Sequence, residues 1–398
     1  MAKIPLGNDI DLDDSQFYNR VNDISFLYNH LKTTEDGSSP AILLTGVRGV
    51  GKTVLMKKLI KDYGNDYLCV YINLENCDKY DDGELTRFSI MKVFYDAIVT
   101  SCENFGFMTS DIKTKKFFKT KTFKIDKIVD YNDIPVPIPH SEEDYSKFAD
   151  FVTSLPMDIL NQYSHVIKGV WIFFDEFQIV KHLNTDVNSF LWYIRGLVQS
   201  QKGIGYIFSG SMSVKDELID DISGRKGAFG GRILTFELQP FSFETTKNFL
   251  IENADYLKFS DDGFEQFYEY TGGIPYYVNS FARLLPPNRV LDKKQIIYEF
   301  NSSIDYLVSN SKRIWYSLTL QEQKIVTTLV EKPLRRVDIA KKLNVTSGAI
   351  GNSLNSLIDS VLIEGGGKYF NITDNIFRAW LINEYNRKGV FPFKNNIY

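Results

Sequence analysis

Residues 41–60 read AILLTGVRGVGKTVLMKKLI, and no other stretch limits the possible folds as tightly. Ala41, Ile42, Leu43 and Leu44 make a short apolar run suited to a strand buried on both faces. A glycine loop of the form GxxxxGK[ST] follows directly, then the helix-compatible segment KTVLMKKLIKDYG. This order of strand, loop and helix is the context in which the short pattern becomes a phosphate-binding loop. Gly46, Gly49 and Gly51 let the backbone curl so that its N–H groups converge on phosphate oxygens, and the helix N-terminus adds partial positive charge. Lys52 is placed to reach β- and γ-phosphates, and the Thr53 hydroxyl to ligate magnesium. The nucleotide-holding set is therefore Gly46, Val47, Arg48, Gly49, Val50, Gly51, Lys52, Thr53 and Val54, which predicts ATP and Mg2+ as ligands.

Such a loop needs a carboxylate from a neighbouring buried strand to hold the metal. The stretch GVWIFFDEFQ offers one, since Val170 to Phe174 are apolar or aromatic and end in Asp175 and Glu176. Asp175 would emerge at the strand's C-terminal end, where ligands of open α/β sheets collect, and hold magnesium. Two adjacent acids there are hard to justify by packing, because ionised groups resist desolvation. Glu176 is thus the candidate that polarises an attacking water, which favours hydrolysis over binding alone.

A third strand is predicted at GIGYIFSGS, ending in Ser209 and Ser211. These hydroxyls are candidates to contact a γ-phosphate or the lytic water, although a hydroxyl at a strand end also serves as a plain turn residue. In GAFGGRILTFELQPFS, Arg232 precedes an alternating run that reads as a further strand. An arginine at that junction can stabilise a γ-phosphate in its own subunit or a neighbour's, and reads equally as a surface residue.

The 398-residue length predicts more than one domain. Cys69, Cys77 and Cys102 are too few and too unevenly spaced for a disulfide framework, and His30, His140, His165 and His182 form no zinc-binding spacing. The start MAKIPLGNDIDLDD has no apolar run resembling a signal sequence, and no segment approaches 18 consecutive apolar residues, so a cytoplasmic protein without a membrane partner is expected. The net charge of −4 is uneven: residues 311–398 hold 13 Lys and Arg against 7 Asp and Glu, a net of +6, leaving −10 for the rest. A nucleic-acid surface, if present, is therefore expected in the C-terminal part.

Residues 85–104 read as a helix with apolar positions near helical spacing. An insertion at about 105–142 follows, in which Lys113, Lys115, Lys116, Lys119, Lys121, Lys124 and Lys127 interleave with Phe117, Phe118, Phe123 and Ile125. It suits a projecting strand or hairpin that either holds a phosphate backbone or protects an exposed edge with lysines. Pro135, Pro137 and Pro139 then read as a rigid connection back to the core. Residues 319–373 have the rhythm of a winged helix-turn-helix, with Ile325, Leu329, Val337, Ile339, Ala340, Leu343, Ile350, Leu354 and Leu357 as its core. NVTSGAI supplies the turn and helix cap, and Gly365, Gly366 and Gly367 the wing tip. Its candidate recognition helix, SGAIGNSLNSLIDS, carries Ser347, Asn352, Ser353 and Asn355 but no cation. Arg335, Arg336, Lys341, Lys342 and Lys368 would have to supply the charge for double-stranded DNA, and a protein partner is the rival.

Taken in order, FYNRVNDISFL, the phosphate loop, FFDEFQ, FSGS, GGRILTFELQPFS, YTGGIPYYV and YFNITDNIFRAWL resemble the archaeal-type P-loop ATPases, near the AAA+ and STAND NTPases and related to origin-recognition ATPases. The resemblance covers residues 17–381. It implies an α/β P-loop NTPase fold with an AAA+/ASCE-type parallel sheet and a catalytic glutamate, then a helical lid and a C-terminal winged helix. Phe17 to Arg20, including both Phe17 and Arg20, would lie against adenine, and Gly272 to Pro275 would open the lid helix near the nucleotide. The expected divisions are 1–240 for the ATPase domain, 241–312 for the lid and 313–398 for the winged helix. Many relatives carry a further nuclease-like domain; none is expected here before Tyr398, and homo-oligomer formation is left open.

Overall fold

In the computed structural model, residues 12, 16–77, 85–107, 125–131, 134–139, 142–211, 217–360, 362–366 and 369–394 are described. The apolar runs form β1 (Ala41–Thr45), β5 (Val170–Asp175) and β6 (Ile204–Ser209), each buried along its whole length. With β2 (Leu68–Asn73) and β7 (Leu234–Glu237) they make a five-stranded, all-parallel sheet in the order β2-β5-β6-β1-β7. The central strands lack polar alternation because helices cover both faces.

Helix α1 (Val21–Leu31), through Leu27 and Leu31, packs on one face with α2 (Lys52–Tyr63), alongside Leu55, Met56, Leu59 and Trp171. The other face buries α3 (Arg87–Phe105), α4 (Glu142–Tyr163) and α5 (Val187–Ser200) around Phe94, Phe148, Phe174 and Phe208. Helix α3 starts at Arg87, two residues after the position predicted, because a capping box between Thr86 and Ser89 fixes its first turn and Leu85 bridges to Leu183 instead. A short α6 (Glu217–Ser223) follows β6.

The expected rigid proline connection has another form. Pro135, Pro137 and Pro139 lie in β4 (Ile134–Pro139), paired antiparallel with β3 (Ile125–Tyr131). Because they occupy every second position, the missing N–H groups fall on one edge, and Ile134, Val136 and Ile138 remain to donate across the ladder. The lysine and phenylalanine cluster between 113 and 124 lies outside the described residues.

The second half is helical: α7 (Phe243–Asn253), α8 (Asp261–Thr271), α9 (Pro275–Ala282), α10 (Lys293–Leu307) and α11 (Ser309–Ser317), with the small pair β8 (Lys258–Phe259) and β9 (Val290–Leu291). Then come α12 (Leu320–Leu329), α13 (Arg336–Leu343), α14 (Gly351–Asp359), the hairpin β10 (Ile363–Gly366) and β11 (Tyr369–Ile372), and α15 (Asn375–Lys388). One apolar cluster extends from Phe249 to Leu381, with members on both sides of residue 312. Trp315 anchors it, its indole N–H donating to Pro392 O at 2.7 Å.

Two details of the C-terminal part differ from expectation. Val337 is 57 % exposed, because α13 turns Ile339 and Ala340 inward and a residue two positions earlier points nearly the opposite way. Leu334 takes its place, bridged to Phe370 by two backbone hydrogen bonds. Thr346 and Ser347 do not cap a helix directly. Residues 346–350 form a turn, with Ala349 N donating to Thr346 O, and α14 begins at Gly351 without a side-chain cap. Gly367 and Lys368 lie outside the described residues.

The GGIP segment seats the helical half on the sheet. Phe241 N donates to Gly273 O at 2.8 Å, and a Cβ on Gly273, whose φ is +66°, would stand 2.0 Å from Phe241 O. Gly37 has a comparable φ of +76° but open space around it. Gly37→Ala is expected to cost about 1 kcal/mol for the left-handed backbone alone, and Gly273→Ala about 3 kcal/mol or more because the backbone must also shift. Equal losses in thermal denaturation would show that the seat is not rigid.

Candidate nucleotide-binding site

The parallel order carries the C-terminal ends of β1, β5 and β6 to one edge of the sheet, and with them the phosphate loop, Asp175, Glu176 and Ser211. Helix α2 opens at Lys52 behind Gly51, so its first N–H groups face the same edge. The Lys52 ammonium is buried, donating to Gly46 O at 2.8 Å, Val47 O at 3.2 Å and Ser211 Oγ at 3.3 Å. Burial lowers its pKa to about 8, against the pull of Glu176 and Asp175, which favour the charged form.

Thr53 Oγ1 donates to Asp175 Oδ2 at 2.7 Å, and the Tyr71 hydroxyl from β2 donates to the same oxygen at 2.7 Å. Asp175 Oδ1 accepts from the Glu176 backbone N–H at 3.0 Å. Among the described residues no group of three or more His, Cys, Asp or Glu could cage a metal. A hydroxyl beside a carboxylate is a hard-oxygen pair that fits magnesium arriving with phosphates, since that ion keeps most of its shell from water and substrate.

Glu176 is left-handed, with φ 54° and ψ 39°, a conformation costing a non-glycine residue about 1 kcal/mol or more. The turn swings its carboxylate out of the strand line toward the cleft. Burial pushes this carboxyl above its usual range, a hydrogen bond from Gln178 pulls it down, and Asp175 pushes it up again.

The cleft at this edge has a volume of about 810 Å³. Its walls include Phe17, Arg20, the loop from Val47 to Val54, Glu176, Ser211, Pro275 and Tyr276. Phe17 lies under the Lys58 ammonium at 5.8 Å, and Arg20 Nη2 donates to Val50 O at 3.1 Å while its guanidinium stacks 4.9 Å over Phe241. Pro275 begins α9, and the next residue, Tyr276, donates its N–H to Gly49 O at 3.2 Å. Gly49 has φ +80°, and a Cβ there would lie 2.7 Å from Tyr276 Cβ, so α9 and the phosphate loop touch closely.

Two candidates stand elsewhere. Ser209 closes β6 but is fully enclosed; its hydroxyl has no hydrogen-bond partner among the described residues, and it does not line the cleft. Arg232 is exposed just before β7, and since Leu234 pairs with Ile42 in a parallel ladder, it sits at the edge of the sheet opposite the phosphate loop. With the Gln199 amide turned to satisfy both guanidinium groups, its oxygen accepts from Arg195 Nε at 3.3 Å and Arg232 Nη1 at 3.2 Å. Arg232 does not line the cleft that holds the phosphate loop.

Three contributors carry no clear signal in the sequence. Tyr71 is an ordinary alternating strand residue until β2 pairs with β5. Gln178 reads as the end of FFDEFQ, yet it bonds both Glu176 and the Ser211 backbone. Asp374 lies almost 200 residues beyond Glu176, but its Oδ2 accepts from Tyr277 OH and from Ser311 Oγ, the latter at 3.0 Å, while Oδ1 caps α15. It binds the start of α15 to α9, and both Asp374 and Ser311 line the cleft.

A parallel sheet with this loop after β1, and an acid pair at the end of β5 with β6 lying between the two strands, defines a P-loop ATPase. A family model described as an ATPase domain predominantly from Archaea matches residues 17–281, well over half of the chain, and the chain belongs to that family. The Walker-type ATPase PABY2304 of Pyrococcus abyssi has a similar fold, with a TM-score of 0.59 and 16 % identity over 93 % of this chain and 98 % of that one. The Aeropyrum pernix ORC2 protein, solved as ADPNP-ADP complexes, gives a TM-score of 0.56 and 13 % identity over 96 % and 95 %. At these identities the likeness is one of fold. No curated protein matches the chain in sequence. No helix among the described residues is long and apolar enough to cross a membrane.

Proposed function

We propose that the chain binds ATP in this cleft, hydrolyses it through Glu176, and couples the nucleotide state to its C-terminal module. The observation that carries this reading is that Lys52, Thr53 and Glu176 line one cleft at one edge of the sheet, with Asp175 buried behind it and bonded to Thr53. Entering phosphates would take over the Lys52 ammonium from the Gly46 and Val47 carbonyls and accept from the loop N–H groups. Thr53 and Asp175 would hold magnesium, which when bound neutralises charge on the phosphate oxygens. Glu176 would accept a hydrogen bond from water and orient its oxygen toward the γ-phosphorus; the new O–P bond replaces the bond to the β-phosphate oxygen, releasing ADP and phosphate. Phe17 and Arg20 would flank the base. Arg232, outside this cleft, would serve a neighbouring subunit's nucleotide.

The order of helices α12 to α14 followed by the hairpin supports reading this part as a winged helix, and its charge suggests how DNA would be met. Helix α14 has no cation, and Arg336 is engaged internally, its Nε donating to Ser347 O at 2.7 Å. An open groove between the end of α12, α13 and β11 is instead lined by Lys332, Arg335, Lys341 and Lys342 beside the exposed Tyr369. Arg335 is paired with Asp338 at 2.7 Å and Lys342 with Glu331 at 3.7 Å; no ion pair holds Lys332 or Lys341 among the described residues.

The test is ATP turnover of the whole chain with no addition, with double-stranded and with single-stranded DNA, using Glu176→Gln as blank. Stimulation by DNA is expected, and Lys332→Ala with Lys341→Ala should weaken duplex binding and flatten its log–log salt slope by about 2. Turnover above the blank that ignores DNA would favour the second reading, a nucleotide-gated switch whose C-terminal module binds protein, as the uncharged α14 suggests. No turnover under any condition would remove the hydrolytic reading.

A further inference from the structure

We infer that Gln178 is a positioning residue for hydrolysis, holding the Glu176 carboxylate at a fixed aim by tying it to the end of β6. The inference rests on the reading of Glu176 as the group that orients water. The amide orientation is set from both ends. The Ser211 backbone N–H is a donor, 3.1 Å from Gln178 Oε1, so the oxygen must face it. The amide nitrogen then faces Glu176 and donates to Oε2. Glu176 Oε1 has no hydrogen bond among the described residues, and Glu176 lines the cleft, which leaves one carboxylate oxygen for water.

The tether has a firm base. Gln178 belongs to a 3₁₀ turn over Phe177–His182, in which Phe177, Ile179 and Val180 are buried against the sheet core. At its other end Ser211 accepts from the Lys52 ammonium through Oγ. The run Glu176, Gln178, Ser211, Lys52 therefore joins the ends of β5 and β6 to the phosphate loop. A glutamate on a left-handed turn would otherwise sample several rotamers, and one amide restricts it through a strand that also contacts the phosphate-binding lysine.

The test compares Gln178→Ala and Gln178→Glu with the wild-type chain in ATP affinity, KM, kcat and thermal midpoint. Gln178→Glu keeps the length and the acceptor facing Ser211, and replaces the donor to Glu176 with a carboxylate oxygen that repels it, whereas Gln178→Ala removes the donor without adding charge. Both variants should lose about 10- to 100-fold in kcat, with affinity and KM within about threefold. In a Glu176→Gln background, Gln178→Ala should lower the residual rate no further, because the two residues act as one unit. An unchanged kcat, a parallel loss of affinity and thermal midpoint, or a full additional loss on Glu176→Gln would each overturn the inference. A wild-type chain without turnover would fail earlier, at the hydrolytic reading, and take this inference with it.

Discussion

Lys52→Ala is expected to reduce ATP affinity by about 100-fold or more while leaving the fold intact. The ammonium makes three hydrogen bonds within the loop region, to Gly46 O, Val47 O and Ser211 Oγ, from a buried position. Phosphate oxygens carry full charge, so exchanging these neutral acceptors for them gains a charge-assisted bond that alanine cannot make. Such a bond contributes roughly 1.5–3 kcal/mol, and loss of about 2.7 kcal/mol is a factor of 100. Val47 and Ser211 border the cleft, where water can replace the lysine, so thermal stability should change far less than affinity. Titration calorimetry with ATP checks this; wild-type affinity in a folded variant would remove Lys52 from the phosphate site.

Glu176→Gln should separate binding from cleavage. The amide is nearly isosteric with the carboxylate and can still accept from Gln178 through its oxygen. It cannot take a proton from water, and loss of a positioned base costs typically about 10²–10⁴-fold in rate. Burial and the neighbouring Asp175 both oppose a charge at this position, so removing it should not harm ATP affinity. The expected result is ATP affinity within a few fold of wild type and turnover lowered by at least about 100-fold, with uncleaved ATP recovered from the complex. Hydrolysis at the wild-type rate would show that another group activates water.

How far residues alone lead is clearest at the phosphate loop. The glycines, Lys52 and Thr53 are adjacent in the chain, and their chemistry depends on local backbone geometry that a strand, a tight loop and a helix N-terminus create together. Asp175 and Glu176 were legible for a related reason: five apolar residues predict a buried strand, and charged groups can follow it only where it ends. The proline-rich strand β4 was misread because prolines on one edge of a hairpin and prolines in a linker look alike until the partner strand is known.

The sequence by itself determined the nucleotide-binding loop, its acid pair and the parallel α/β class, because each is encoded in residues near one another along the chain. The tertiary structure alone decided what surrounds them. The parallel pairing of β7 with β1 sent Arg232 to the end of the sheet opposite the phosphate loop, and packing enclosed Ser209. The seating of α9 brought Tyr276 onto Gly49, and Asp374 joined α15 to that helix. The 3₁₀ turn after β5 aimed Gln178 back at Glu176. Apolar spacing sets which face of an element is buried, but the register and order in which buried faces meet are collective outcomes of packing, and contacts between distant residues follow only from them.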